Sequence, residues 1–341
     1  MEKFDAATMR FDEAVKGWPM LGRLQAEMSQ RFPGRMDDIS QIAFYFTRQL
    51  TFIYTKTYDI KYAELMARKC FAIDREVPPG AEYYVYRQYD QVGMAMIVNS
   101  YSKDFPRVDV RATEVVGRVK EIGDSFGYNW KEIQSSLFSG IPLEQRRANM
   151  AKRGVLQREN EVVWFGDVAN NLIGVFNNTN ITVVSPPADG TGASMKFSAK
   201  TAAQILRDMS QPFITIRTVS RNVEQANTLL MATSPYGYIS MTPYSQYSDK
   251  TILQWFLANQ PQCKEVVSVD ELSAVAQAPY SGDDCMIAYV RDEDHFAIVV
   301  PQEFFMAPPQ MEGFEWTINC MASTGGLKAP YPLAMIIVHG I

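Results

Sequence analysis

The chain is poor in the residues that usually carry chemistry. It has two histidines, His295 and His339, too few for a histidine-based metal centre. Its four cysteines, Cys70, Cys263, Cys285 and Cys320, show no CxxC or CxxH spacing, which excludes a zinc finger. They are too sparse for a disulfide framework and read as buried free thiols in a reducing compartment. No apolar run approaches the ~18 residues that a membrane span needs. The first residues, MEKFDAATMRFDEAV, are charged and lack an apolar stretch, so they are not read as a signal peptide. A soluble chain made in the cytoplasm is expected, with no cofactor and no metal. A strong excess of basic charge is missing too: 33 Lys+Arg face 38 Asp+Glu, a net charge of -5. A dedicated, strongly basic nucleic-acid-binding domain is therefore not expected.

What the chain does have is apolar material and length. At 341 residues and 47% hydrophobic it is no disordered polymer, and it exceeds the usual span of one core. Charge is unevenly placed. Residues 1–166 carry 24 Lys+Arg against 22 Asp+Glu, and residues 167–341 carry 9 against 16. The front is slightly basic and the back acidic.

Along the chain, residues 1–35 read as a short helix and an extended arm, and Asp37-Asp38 as the start of an aromatic-rich helix. Val77-Pro78-Pro79-Gly80 is a break. Glu82–Ser100 is rich in Tyr, Val and Ile, and Arg107–Ile122 alternates polar and apolar residues. Together they predict a long two-stranded ribbon interrupted at Lys103–Pro106. A ribbon alone is marginal in water, so one this long and Tyr-rich should lie on something else, a partner subunit being the obvious candidate. Asn129–Phe138 reads as a short capped helix. Pro142 opens a long one, Leu143–Phe165, which Gly166-Asp167 ends. That helix has an apolar side and a basic side of Arg146, Arg147, Lys152, Arg153 and Arg158. We expect these to pair with acidic neighbours such as Glu144, Glu159 and Glu161 rather than to face nucleic acid.

Residues 167–300 look α/β. Strands are predicted at 181–184, 227–231 and 265–269, and helices at 198–216, near Pro235 and at 249–259. Met286–Val290 and Phe296–Val300 are read as a hairpin. The segment 301–341 reads as short strands. No internal repeat is visible.

Four motifs invite a chemical reading. Gly123-Asp124-Ser125-Phe126-Gly127 matches G-x-S-x-G, the nucleophile elbow of hydrolases, with strand, turn and helix in order and His295 downstream. Yet the strand before it is charged at alternate positions, whereas a central hydrolase strand is apolar on both faces. Gly282-Asp283-Asp284 is an acidic triplet with no second Asp-bearing strand, and reads as a solvated loop. Asp292-Glu293-Asp294-His295 reads as a turn rather than a cation site. Gly190–Lys196 lacks the spacing of a phosphate loop. No enzyme site survives, although a serine hydrolase using Ser125 remains the alternative of another class.

The order of parts is more specific. Ten segments carry it: RQLTFI (48–53), VPPGAEYYVYRQYDQVGMA (77–95), DFPRVDV (104–110), IGDSFGYNWKEI (122–133), PLEQRR (142–147), WFGD (164–167), NTLLM (227–231), DKTILQWFLANQP (249–261), PQEFF (301–305) and TGGLKAPYPLA (324–334). The chain resembles the tailed-bacteriophage major capsid protein family, whose fold is shared with encapsulin nanocompartments. The match covers most of the chain from about residue 40 onward, and residues 1–35 do not contribute.

The resemblance implies an α+β tailed-phage major capsid fold. Residues 1–76 would be the N-terminal arm and 77–122 the extended E-loop β-hairpin. Residues 123–166 and 301–330 would form the P-domain, with a spine helix at about 143–165, and 167–300 and 331–341 the α/β A-domain. The implied function is a self-assembling icosahedral head shell around double-stranded DNA, built from hexamers and pentamers. An encapsulin-like compartment with protein cargo is the alternative. E-loops of such shells reach over the P-domain of the adjacent subunit, and A-domains meet at the five- and six-fold centres. The expected assembly contacts are Tyr84, Tyr86, Lys103, Asp104, Phe105, Arg107, Arg146, Arg147 and Arg153, with Tyr83 and Tyr89 offering further amphipathic contact area. Some relatives join subunits by a Lys–Asn isopeptide bond, and Lys103 stands near the ribbon tip where such a lysine would, although a solvated or salt-bridged lysine is the expected reading. Implied partners are the chain itself, packaged DNA held non-specifically, and portal, scaffolding and decoration proteins. No membrane partner is implied. With the chain starting at Met1, scaffolding is expected from a separate protein or from the arm itself. The implied location is the virion, after synthesis in the host cytoplasm.

Overall fold

The computed structural model describes residues 62–97, 107–139, 143–247, 249–275, 280 and 282–341. The expected arm and helix within 1–61, the ribbon tip with Lys103, Asp104 and Phe105, and Pro142 lie outside these residues. The chain divides into Met1–Tyr62 and Ala63–Ile341, and the second unit holds every described helix and strand.

A short helix α1 (Ala67–Cys70) leads into β1 (Ala72–Asp74). The ribbon follows as β2 (Tyr83–Val92) and β3 (Asp109–Arg118). Next come β4 (Lys120–Asn129), α2 (Trp130–Ser139) and the long α3 (Leu143–Phe165). The α/β part holds β5 (Thr182–Val184), α4 (Ala202–Val219), β6 (Thr228–Ala232), α5 (Thr233–Met241), α6 (Ile252–Asn259), β7 (Glu265–Val269) and β8 (Cys285–Tyr289). The remainder is β9 (Ala297–Val299), β10 (Gln302–Met306), β11 (Gln310–Glu312), β12 (Glu315–Thr324), β13 (Leu327–Lys328) and β14 (Met335–His339).

The core is a mixed five-stranded sheet in the order β5-β14-β8-β6-β7. Its middle strands, TLLMA, CMIAY and MIIVH, are apolar almost throughout because both faces are covered. Leu229, Met231, Met286, Ala288, Ile336 and Val338 meet Ile205, Met209, Phe213 and Phe256 of α4 and α6 on one face. Leu230, Ile287, Tyr289, Met335 and Ile337 meet Phe71, Val163, Trp164 and Phe296 on the other. Trp164, at 0% exposure, thus anchors the end of α3 in this core.

A second sheet is antiparallel and has β12 between β10 and β4, with β11 also pairing β12. All ten residues of β4 pair with β12, from Lys120 opposite Thr324 to Asn129 opposite Glu315. Helix α3 crosses close to β4 at Gly154, where an added Cβ would lie 3.2 Å from the Asp124 carboxylate. Helix α3 ends as its sequence predicts. Gly166 takes φ 70° and donates from its N–H to the Val162 carbonyl at 2.8 Å. A small third sheet has the order β1-β9-β13.

Three readings are corrected. Residues 286–290 and 296–300 are not a hairpin: β8 pairs with β6 and β14 in the core sheet, whereas β9 pairs with β1 and β13. The turn between them carries the chain from one sheet to another, which two apolar runs cannot reveal. The ribbon's returning strand ends at Arg118, not Ile122, because residues 120–129 leave to pair with β12. The 249–259 helix is capped by Thr251, whose Oγ1 accepts from the Gln254 N–H at 3.3 Å, rather than started by Asp249.

Candidate assembly surface

The β2–β3 ribbon has a regular antiparallel register from Tyr83 opposite Arg118 to Val92 opposite Asp109. Side chains alternate between faces. One face carries Tyr84, Tyr86 and Gln88 and turns toward its own chain. Tyr84 lies across Gly117, where a Cβ would sit 2.1 Å from its ring, and its hydroxyl donates to the Gly325 carbonyl at 3.3 Å. Gln88 Nε2 donates to the Pro330 carbonyl. Burial pushes the Tyr84 and Tyr86 hydroxyls above their ordinary pKa. The base of the ribbon is therefore fixed to the 325–330 segment, which contains β13.

The opposite face carries Tyr83, Val85, Arg87 and Tyr89 with Val110, Ala112, Glu114, Val116 and Arg118, all exposed. Val85 faces Val116 directly, Arg87 pairs with Glu114 at 2.8 Å, and Arg118 stands 5.7 Å from the Tyr83 ring centre. Beyond Gln88 both faces are exposed, and Met94, Met96 and Ile97 add to the apolar surface. A second exposed apolar group lies around the β12 sheet: Trp130 stacked on Trp316 at 5.6 Å, with Phe305, Met306, Met311 and Phe314. Exposed large apolar side chains are thus grouped on the ribbon and around β12, the kind of surface that marks interaction sites.

The spine arginines are held by their own chain. Arg147 donates to the Gly127 carbonyl, pairs with Glu132 at 3.0 Å and lies 5.0 Å from the Tyr128 ring centre. The hydrogen bond from Arg147 lowers the pKa of Glu132. Arg158 pairs with Glu161 at 3.2 Å and Asp167 at 2.9 Å, as expected of acidic neighbours. Glu159 pairs instead with Arg68, outside the helix. Arg153 donates to the Ala63 carbonyl at 2.7 Å, and Arg146 is half-buried. Arg107 is exposed just before β3, far along the ribbon from its Tyr84 anchor.

One junction escaped the sequence reading. Arg68 binds both carboxylate oxygens of Glu159, at 2.7 and 2.8 Å, and Glu303 at 3.0 Å; Arg75 reaches Glu303 at 2.9 Å. It ties α1, α3 and β10 together across up to 235 residues of sequence. Isolated Arg and Glu codes at such separations give no signal of this.

Ser125 is not at an elbow. It sits inside β4, paired with Asn319, with its flanking glycines in the same strand. His295 is engaged elsewhere, with Glu224 at 2.9 Å and Asp292 at 3.1 Å. Among the described residues there is no group of three or more His, Cys, Asp or Glu that could hold a metal, and no helix long and apolar enough to cross a membrane.

The described parts are a covered mixed sheet, a long helix laid against a second sheet, and a ribbon that projects apolar surface. Known structures agree on that fold. The chain is similar to a chain of the capsid of Myoviridae phage XM1, with a TM-score of 0.74 at 12% identity, covering 86% of this chain and 98% of that one. It is also similar to Mycobacterium phage Ogopogo (TM-score 0.56, 11% identity, 86% and 98% covered). A chain from the capsid of an empty GTA particle matches at TM-score 0.54 and 10% identity, with 87% and 97% covered. No curated protein sequence matches. The family described as "Major capsid protein" matches residues 93–341, and the chain belongs to that family. It is a structural protein of a capsid shell, and its place is the virion.

Proposed function

We propose that the chain forms the icosahedral head of a tailed bacteriophage, enclosing double-stranded DNA, as hexamers and pentamers of itself. The carrying observation is the ribbon: two ten-residue strands whose outer face and distal half are exposed in their own chain. In this reading residues 1–76 are the arm, 77–122 the E-loop, 123–166 and 301–330 the P-domain, and 167–300 and 331–341 the A-domain. The face of Tyr83, Val85, Tyr89 and Val116 lies on the apolar sheet surface of an adjacent subunit. Lys103, Asp104, Phe105 and Arg107 extend that contact toward the tip. Tyr84 and Tyr86 set the ribbon's angle, and Arg146, Arg147 and Arg153 brace the spine rather than grip DNA. Portal, scaffolding and decoration proteins complete the partner set, and synthesis takes place in the host cytoplasm. Building a shell requires no catalytic step, cofactor or metal.

Electron microscopy of the purified chain tests this. Icosahedral shells, tubes or hexameric rings are expected, and a monodisperse monomer under all conditions would sink the proposal. Shells isolated from infected cells should protect double-stranded DNA from nuclease. Shells filled with protein and free of DNA would instead favour a compartment.

A further inference from the structure

We propose that Ser185 is an activated nucleophile, acylated by a small activated ester or thioester, with His339 as its general base and Asp283 as a positioning residue. The sheet order brings them together. Strand β14 lies between β5 and β8, with Val338 opposite Val184 and His339 opposite Cys285. The residues that follow β5, end β14 and precede β8 therefore converge at one end of the sheet. Ser185 Oγ lies 2.9 Å from His339 Nε2, within the range for nucleophile and base. His339 Nδ1 is buried and makes no hydrogen bond, and Asp283 Oδ2 stands 3.7 Å from it. A closure of less than ~1 Å would make that bond, and such contacts commonly tighten only when a substrate is bound. The Tyr280 ring meets the imidazole edge-on at 5.6 Å. The neighbouring Asp284 is already committed, accepting from the Ala274 N–H at 2.6 Å. Ser185 also lines a pocket of about 280 Å³, with Val184, Pro186, Pro187, Pro212 and Val338 as its apolar wall and Asp208, Gln211 and Thr215 as its polar one, room for a short acyl group.

The step balances without an oxidant. Ser185 Oγ attacks the carbonyl carbon of the donor while its proton passes to His339 Nε2. The donor's C–O or C–S bond then breaks, and the leaving alcohol or thiol takes that proton. Pro186 and Pro187 have no N–H, so the residues after the serine donate nothing to an oxyanion. Acylation and deacylation both pass through an oxyanion and both go without that help, so the expected signal is slow labelling at one serine rather than rapid turnover.

The full chain is treated with p-nitrophenyl acetate and, separately, with a fluorophosphonate, then analysed by intact mass and peptide mapping. One adduct on Ser185 is expected, absent in Ser185→Ala. His339→Gln should slow labelling about 100-fold or more. Asp283→Asn should slow labelling at least about 10-fold at an unchanged melting temperature, and Asp283→Glu should restore part of the rate, which a purely structural role would not do. An unlabelled wild type, adducts spread over other side chains, or labelling indifferent to His339→Gln would overturn the proposal. Should His339→Gln fail to fold, the labelling rates of Asp283→Asn and Asp283→Glu decide: rates equal to wild type in both would overturn the proposal.

Discussion

Tyr84 shows how one side chain sets the direction of an entire ribbon. Its ring occupies the space that a Cβ at Gly117 would need, and it also crowds Gly325. Gly117→Ala must displace the ring and should cost about 1–3 kcal/mol as overpacking. Tyr84→Phe loses only a long hydrogen bond and should cost about 0.5–1 kcal/mol. Urea unfolding midpoints check both, and equal effects would contradict the packing argument. The cysteines give a second residue-scale expectation. Burial pushes the thiols of Cys70 and Cys285 up to about 12 and that of Cys263 up to about 11, and raises Cys320 as well. A thiol reagent at pH 8 should therefore react slowly with the folded chain and with four thiols once it is denatured. Trp164→Ala, which empties a fully buried site, should cost about 3–5 kcal/mol and lower the melting temperature by several degrees.

Among the elements, α3 and β7 were legible in the sequence to the residue, because Pro and Gly bracket the first and a short Val-rich run forms the second. The ribbon was legible as a pair of strands, one rich in Tyr, Val and Ile and the other alternating polar and apolar. Which of its faces turns inward was not, since Tyr lies on both and only Gly117 and the 325–330 segment decide. The β8–β9 hairpin failed because two buried apolar strands look alike whether they pair with each other or with distant partners. The Arg68–Glu159–Glu303–Arg75 junction was invisible, since its members meet only after folding. That junction makes its own prediction. Burial opposes ionisation of Glu303, but the hydrogen bonds from Arg75 and Arg68 outweigh it and hold its pKa below the ordinary 4.5. A depressed carboxylate stabilises fully above about pH 4.5 and loses that contribution as pH falls through the folded value. Glu303→Gln should lower thermal stability at pH 7 more than at pH 3.5. An equal loss at both would deny the ion pairs their role.

At the scale of the molecule, a chain short of histidine and paired cysteine has become a subunit whose work is contact. The basic front and acidic back fit contacts between unlike halves of neighbouring copies. Assembly should then weaken as salt rises and screens exposed pairs, as light scattering would report; assembly indifferent to salt would count against it. The ribbon's outer face carries the greater share of the claim. Val85→Asp with Tyr89→Asp should leave the melting temperature of the free subunit within about 1 °C, since both side chains are exposed, yet abolish shells. The most direct measurement is a cryo-electron microscopy map of shells assembled from the unmodified chain. The account predicts Tyr83, Val85, Tyr89 and Val116 buried against the sheet surface of an adjacent subunit. A map with that face open to solvent, or with the ribbon folded back onto its own chain, would contradict it.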